Sequence, residues 1–136
     1  MLRLQTVLLR HARRGDTHYD WMFETPGPGA RTAPLTTFRV ATAWRDWPRR
    51  GRIALTPLPP HRRVYLTKQG PVSGDRGFVT RIAHGTLDVL DWHGAGGTLL
   101  LRDQYGQPPI QLTLGNVNEK TASLCAIELG SAAASR

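Results

Sequence analysis

Apolar and polar residues alternate along much of this chain, in short runs that Gly, Pro and Asp clusters separate about every ten residues. The segment Ile110–Leu114 shows the period of two that is typical of a half-buried β-strand. Helical periodicity is weak: only Ala41–Trp47 can carry a helical turn, which Pro48 would stop. The pattern predicts an all-β, mainly antiparallel sandwich or barrel with little helix.

The candidate strands are the runs rich in leucine, β-branched and aromatic residues. They are Gln5–Arg10, His18–Glu24, Leu35–Ala41, Arg52–Thr56, Arg63–Thr67, Gly77–Ala83, Gly85–Asp91, Thr98–Arg102, Ile110–Leu114 and Ala122–Glu128. Two loops between them, at 25–34 and 69–77, are rich in Pro or Gly. A glycine-rich loop such as the second lets the backbone approach a ligand closely, although most such loops are only turns.

The length of 136 residues suits one domain, which we place at residues 1–129, followed by a tail at 130–136 that we expect to be disordered. No apolar run approaches the roughly 20 residues of a membrane span, and Leu4–Leu9 is too short for the core of a signal peptide. The single Cys125 excludes an internal disulfide and a cysteine-rich zinc site, which fits a reducing compartment. We therefore expect a soluble, cytoplasmic monomer.

The charge balance favours a polyanionic partner. The formal net charge is +8, with 18 Lys and Arg against 10 Asp and Glu. Each phosphate that such side chains neutralise releases condensed counterions, which favours binding to nucleic acid. Only Lys68 and Lys120 are lysines, and a GC-rich genome, which favours arginine codons, would also explain the arginine excess.

The densest group of chemically active side chains lies between His11 and Asp20. Two imidazoles and a carboxylate can hold a divalent ion such as Mn²⁺ or Zn²⁺. In an extended strand His18 and Asp20 are two residues apart and point to the same face. A turn at 13–17 would let His11 fold back beside them as a hairpin partner. The alternative is a set of surface polar residues beside a turn.

A second group follows the Pro59-Pro60 pair. His61 and Tyr65 are four residues apart, which places them on one face if the segment is a strand. Together with Arg62 and Arg63 they can bind a phosphate or protonate a leaving oxygen. A capping histidine and a half-buried tyrosine would explain the same residues.

In this order, the two groups resemble the 3′-phosphoesterase domain of bacterial DNA ligase D. That family has a strand, a His, a short basic stretch, His-Tyr-Asp with a Glu four residues later, a His four residues before a Tyr, and a glycine-rich stretch. The matching residues here are His11, His18-Tyr19-Asp20, Glu24, His61, Tyr65 and Gln69–Gly77. The similarity extends over roughly residues 5–129, and only His-Tyr-Asp is nearly literal.

The resemblance implies a closed or partly open barrel of about eight strands with a Mn²⁺ site, with Zn²⁺ as the alternative ion. It implies removal of a 3′-phosphate or a 3′-ribonucleotide from a primer–template end in DNA repair by non-homologous end joining, with repair proteins as further partners. His11, His18 and Asp20 would bind the metal, His61 would contact the scissile phosphate, and Tyr65 would support the site. The candidate phosphate-binding residues are Arg13, Arg14, Arg39, Arg62, Arg63 and Arg76.

The chain departs from the family pattern at three places. The step from His11 to His18 is one residue longer, and in a continuous strand an odd insertion turns a side chain to the other face. The site survives if a turn or a bulge absorbs the extra residue; otherwise Asp16 would replace His11. Met22 and Thr42 stand where the family has a phosphate-binding Arg and Lys.

Three functional hypotheses follow from these residues. The first is a metal-dependent phosphoesterase, with arginines elsewhere replacing the two missing cations. The second is a module that binds metal and nucleic-acid ends without cutting them, which Met22 and Thr42 favour. The third is a barrel scaffold with a degenerate site, which only the longer histidine step favours.

Overall fold

The computed structural model describes residues 2–72 and 74–129, and these residues form nine strands and one short helix. The predicted disordered tail at 130–136 lies outside the described residues. The strands are β1 Arg3–Arg13, β2 Asp16–Phe23, β3 Leu35–Val40, β4 Arg52–His61, β5 Gly70–Pro71, β6 Phe78–His93, β7 Gly96–Asp103, β8 Ile110–Gly115 and β9 Ala122–Glu128, and the helix is α1 Trp47–Arg50. Among the described residues, no helix has the length and apolar character needed to cross a bilayer.

The strands form a closed antiparallel barrel. Their order is β1-β2-β3-β4-β9-β8-β7-β6, and pairing of β6 with β1 closes the ring of eight. Strand β5 is the extra strand and pairs with the start of β6. The predicted fold class, an antiparallel barrel with little helix, is therefore confirmed.

Aromatic side chains fill the barrel interior. On β2 the alternate residues Trp21 and Phe23 point inward, and their ring centroids lie 4.7 Å apart. Trp47 packs edge-on against Trp21 at 5.2 Å and donates its indole N–H to the Thr42 carbonyl. Pro48 does not stop a helix here: it lies in the first turn of α1, where a residue without an N–H is tolerated.

A second apolar cluster lies on the outside of the barrel wall. Its members come from the outward faces of β1, β2, β3 and β6 and from the segment 63–72 that crosses them: Val7, Leu9, Met22, Leu35, Tyr65, Leu66, Val72 and Val79. We call residues 59–72 and 74–77, which run over this face, the cover segment. Strands β1 and β2 are consequently buried on both faces.

Two strand predictions were wrong. Arg63–Thr67 does not form a strand; residues Arg63–Leu66 form a 3₁₀ turn, which lets the consecutive residues Tyr65 and Leu66 both pack on the barrel wall. The two predicted strands flanking His84 are one continuous strand, β6. Gly85 does not interrupt it, because its lack of a Cβ lets β6 approach the Arg102 carbonyl of β7.

A buried carboxylate fastens the cover segment to the barrel. Glu24 is fully buried directly after β2 and accepts hydrogen bonds from the Gln5 N–H at 2.7 Å, Arg31 at 2.7 Å and Arg63 at 2.6 Å. Burial raises the pKa of Glu24, but the hydrogen bonds from Arg63 and Gln5 and the charge of Arg31 outweigh it and hold the pKa below its usual range. Glu24 thus links β1, the loop at 25–34 and the cover segment.

We expect Glu24→Gln to lower the free energy of unfolding by about 3 kcal/mol at pH 7, because it leaves the partly buried Arg63 without its anion. Since the pKa is lowered in the folded protein, this stabilisation is present above the ordinary carboxyl pKa of about 4.3 and is lost as the pH falls through the folded-state pKa. Urea unfolding at several pH values measures the difference, which should shrink below about pH 4. The exposed Glu119→Gln is the matched control; an equal effect of both variants contradicts the prediction.

Candidate metal centre

The hairpin that joins β1 to β2 places both histidines on one face. Arg13 pairs with Asp16, so the connection consists of Arg14 and Gly15 alone, and Gly15 has a φ of 71°. In this register His11 lies directly opposite His18, and directly opposed side chains of an antiparallel pair share a face. The longer step between the histidines therefore does not turn His11 away.

Three side chains from this hairpin form a compact group on the outer face of the barrel. His18 Nε2 lies 3.3 Å from Asp20 Oδ1, and His11 Nδ1 lies 3.9 Å from Asp20 Oδ2. One ligand atom from each of the three residues falls within 4.8 Å of the others. The predicted grouping of His11, His18 and Asp20 is confirmed, and the group can hold a divalent metal ion.

The environment of Asp20 suits a cation. The residue is 3% exposed, and its Oδ1 has no hydrogen-bond partner among the described residues. Burial raises the pKa of Asp20 above the usual carboxyl range, although His18, His61, His11 and Arg39 act in the opposite direction. A bound divalent ion would supply the positively charged partner that this buried oxygen lacks.

Backbone carbonyls set the proton positions of two imidazoles. His11 Nε2 lies 2.6 Å from the Arg76 carbonyl, and His61 Nδ1 lies 2.8 Å from the Pro59 carbonyl. Because a carbonyl can only accept, each of these nitrogens carries the proton. The other nitrogen of each neutral ring, Nδ1 of His11 and Nε2 of His61, then offers a lone pair. Nδ1 is the His11 nitrogen that faces Asp20.

Gly77 allows the loop that carries the Arg76 carbonyl to lie against β1. Its φ is 95°, and a Cβ at this position would overlap the Ala12 carbonyl oxygen. No other residue fits this approach without moving the backbone. The glycine-rich loop at 69–77 therefore contributes to the site through its backbone.

The metal group opens into a cleft of about 450 Å³ between the barrel wall and the cover segment. His61 and Tyr65 line it and contact each other edge-on, with ring centroids 5.8 Å apart. They do not share a strand face as predicted; β4 ends at His61, and the 3₁₀ turn brings Tyr65 back beside it. The Arg62 guanidinium lies 5.9 Å from the centre of the Tyr65 ring.

The structure places the six candidate arginines in four different surroundings. Arg13, Arg62 and Arg76 line the cleft. Arg39 lies on β3 directly opposite Asp20. Arg14 occupies the hairpin turn, and the Arg63 guanidinium donates to Glu24 at 2.6 Å and to the Ala30 carbonyl at 2.9 Å.

Met22 and Thr42 stand where the resemblance implies phosphate-binding cations. Met22 is 1% exposed and belongs to the outer apolar cluster at the floor of the cleft. Thr42 uses its carbonyl to accept the Trp47 indole N–H at 3.0 Å. Positive charge reaches the cleft from other directions, through Arg13, Arg62 and Arg76.

We expect Asp20→Asn to stabilise the metal-free protein by about 1 kcal/mol at neutral pH, because it removes a buried charge. Because the pKa of Asp20 is raised, its carboxylate destabilises the folded protein only where it is charged. The gain in stability from Asp20→Asn should therefore be absent at low pH and should grow as the pH rises above the ordinary carboxyl pKa.

A second expectation concerns the metal. Excess Mn²⁺, at about 100 times its dissociation constant, should stabilise the wild type by about 2.7 kcal/mol and the variant hardly at all. Thermal unfolding with and without Mn²⁺ measures both effects, with the exposed Asp91→Asn as control. Equal Mn²⁺ stabilisation of wild type and Asp20→Asn would contradict the assignment.

Comparison of the sequence with models of known protein families and with curated proteins gives no match. The candidate residues therefore rest on the geometry of this chain: a His-His-Asp group with a buried carboxylate beside an arginine-lined cleft.

Proposed function

We propose that this protein is a metal-dependent phosphoesterase that acts on 3′-phosphate or 3′-ribonucleotide ends of nucleic acid. The observation that carries the proposal is the group of half-buried His11, half-buried His18 and buried Asp20, of which His11 and Asp20 line a cleft together with three arginines. Mn²⁺ is the proposed ion and Zn²⁺ the alternative, since imidazole and carboxylate ligands suit both. The proposed setting is the processing of DNA ends during repair.

Each part of the cleft has a role in this reaction. His11, His18 and Asp20 would hold a divalent ion, which would supply charge neutralisation for the phosphate and an activated water as nucleophile. The guanidinium groups of Arg13 and Arg62 bind the non-bridging phosphate oxygens. Met22 and its apolar neighbours exclude water from the floor of the cleft, which strengthens these interactions.

His61 is the residue that we propose contacts the reacting phosphate. Its Nδ1 proton is committed to the Pro59 carbonyl, so the ring can donate from Nε2 only when it carries a second proton. In that form it can donate to the leaving oxygen; in the neutral form it can accept a proton from the attacking water. Tyr65 packs against the ring and fixes its orientation.

The charge of the chain supports a nucleic-acid substrate rather than a small phosphate ester. The net charge is +8, and arginines stand on both sides of the metal group, with Arg13 and Arg62 in the cleft and Arg39 on β3. Such charge attracts a polyanion and increases its rate of encounter. Partners from end-joining repair would supply ligation, for which this chain lacks the nucleotidyltransferase lysine motif.

The second candidate function is a module that binds metal and nucleic-acid ends without cleaving them. Met22 favours it, because an apolar side chain on the cleft floor provides no contact that strengthens in the transition state. Binding of ends with no turnover by a folded, Mn²⁺-loaded protein would select this function.

We expect Mn²⁺-dependent cleavage of a primer–template that carries a 3′-phosphate or a 3′-ribonucleotide. His18→Ala should reduce kcat at least ~10³-fold through loss of the metal, and His61→Ala ~10²–10⁴-fold through loss of proton transfer. His93→Ala, which changes a histidine that is 82% exposed and outside the cleft, should leave the rate unchanged. Full activity of both cleft variants would exclude this active site.

Binding of the same substrate should weaken steeply as salt increases. We expect Arg13→Ala and Arg62→Ala each to reduce the slope of log K against log[salt] by about 1, because each removes one phosphate contact. Arg50→Ala, on the exposed side of α1, should leave the slope unchanged. Fluorescence anisotropy over a salt series measures the slopes, and equal slopes for all four proteins would mean that the arginines are general surface charge.

A further inference from the structure

Three imidazoles belong to the metal group or line its cleft, and two of them are oriented by backbone carbonyls. His11 donates to the Arg76 carbonyl and His61 to the Pro59 carbonyl. His18 is different: its side chain is 9% exposed, and its Nδ1 is buried with no hydrogen-bond partner among the described residues. Such a nitrogen needs a partner, because an unsatisfied buried donor or acceptor costs about 1–3 kcal/mol.

The nearest charged acceptor to this nitrogen is the carboxylate of Asp16. Asp16 Oδ2 lies 3.4 Å from His18 Nδ1, just beyond an ordinary hydrogen bond. Asp16 precedes His18 by two residues in β2, so the two side chains share the outer face. The Asp16 side chain is 54% exposed, so the protein core does not enclose its carboxylate.

Asp16 does not lie on the side of His18 where the other two candidate ligands, His11 and Asp20, are grouped. The two nitrogens of an imidazole lie on different edges of the ring, and Nε2 of His18 is the one that faces Asp20. Asp16 meets the opposite edge, at Nδ1. It therefore does not substitute for His11, as the sequence left open, and its place is behind His18.

We propose that Asp16 is a positioning residue that accepts the Nδ1 proton of His18 and so presents Nε2 as the metal-binding lone pair. A carboxylate behind a ligating histidine fixes the tautomer and the ring orientation, and it makes the ligand more basic. The inference rests on the proposed metal site and adds a residue to it. It also gives the hairpin turn a function, because Asp16 is the first residue after Gly15.

The first test concerns the tautomer of His18 in the metal-free protein. Long-range ¹H–¹⁵N spectra at about pH 8.5, above the ordinary imidazole pKa, distinguish a proton on Nδ1 from one on Nε2. We expect His18 to carry it on Nδ1 in the wild type and to move substantially toward Nε2 in Asp16→Ala. Asp16→Asn, which keeps an acceptor oxygen without the charge, should retain most of the Nδ1–H form. An unchanged tautomer in Asp16→Ala would overturn the proposal.

The second test is Mn²⁺ affinity, measured by titration calorimetry on the full chain. We expect Asp16→Ala to weaken binding by about 10–100-fold and Asp16→Asn by less. The control is Asp91→Ala: Asp91 and His93 are also two residues apart in one strand, with Nδ1 and Oδ2 at the same 3.4 Å, but both are exposed and outside the cleft. Equal affinity of wild type and Asp16→Ala would also overturn the proposal.

The two tests separate this inference from the proposed function. A wild type that binds no Mn²⁺ while its His18 tautomer depends on Asp16 would reject the metal site and keep Asp16 as the residue that orients His18. A wild type that binds Mn²⁺ with an unchanged Asp16→Ala would keep the metal site and reject the role of Asp16. The spectra of the other residues report the fold of each variant, so a loss of affinity with native spectra supports positioning.

Discussion

Burial of both faces of β1 and β2 is the constraint on which the rest of the molecule depends. Their inward residues complete the barrel interior, and their outward residues Val7, Leu9 and Met22 need a second layer to cover them. The cover segment supplies it, and the cleft lies at the margin where that layer ends. The hydrophobic effect that drives this outer packing therefore also shapes the candidate site.

The same packing explains the electrostatics of the metal group. Asp20 lies in the outward row of β2 beside Met22, so the layer that buries the methionine also removes the carboxylate from water. Its pKa is raised by that burial, which disfavours the charged form of Asp20. A buried carboxylate whose pKa is shifted by burial, beside two imidazoles in a cleft, is typical of candidate functional positions.

The sequence predicted most of the barrel because strand alternation and turn residues are local signals. It also grouped His11, His18 and Asp20 correctly, since a period of two and one hairpin determine their shared face. It failed where long-range contacts decide: Tyr65 and Leu66 pack through a 3₁₀ turn, and the partner of Arg63 is a buried Glu24 far away in the chain. The carbonyls that orient two histidines have no sequence signal, because every residue has one. Asp16 did carry a signal, its position two residues before His18, but only the structure shows which ring nitrogen it meets.

The cover segment connects the stability of the fold to the chemistry of the site. It provides both carbonyls that set histidine protons, those of Pro59 and Arg76, and it is fastened to the barrel by the bridge between Arg63 and Glu24. Loss of this bridge would therefore weaken the orienting hydrogen bonds of both His11 and His61, although Glu24 does not line the cleft. The orientation of His18 does not depend on the cover segment in this way, because its neighbour Asp16 belongs to the same strand, β2. The hairpin alone can thus keep His11, His18 and Asp20 on one face, and the cover segment adds the carbonyl that orients His11 and brings His61 to the cleft.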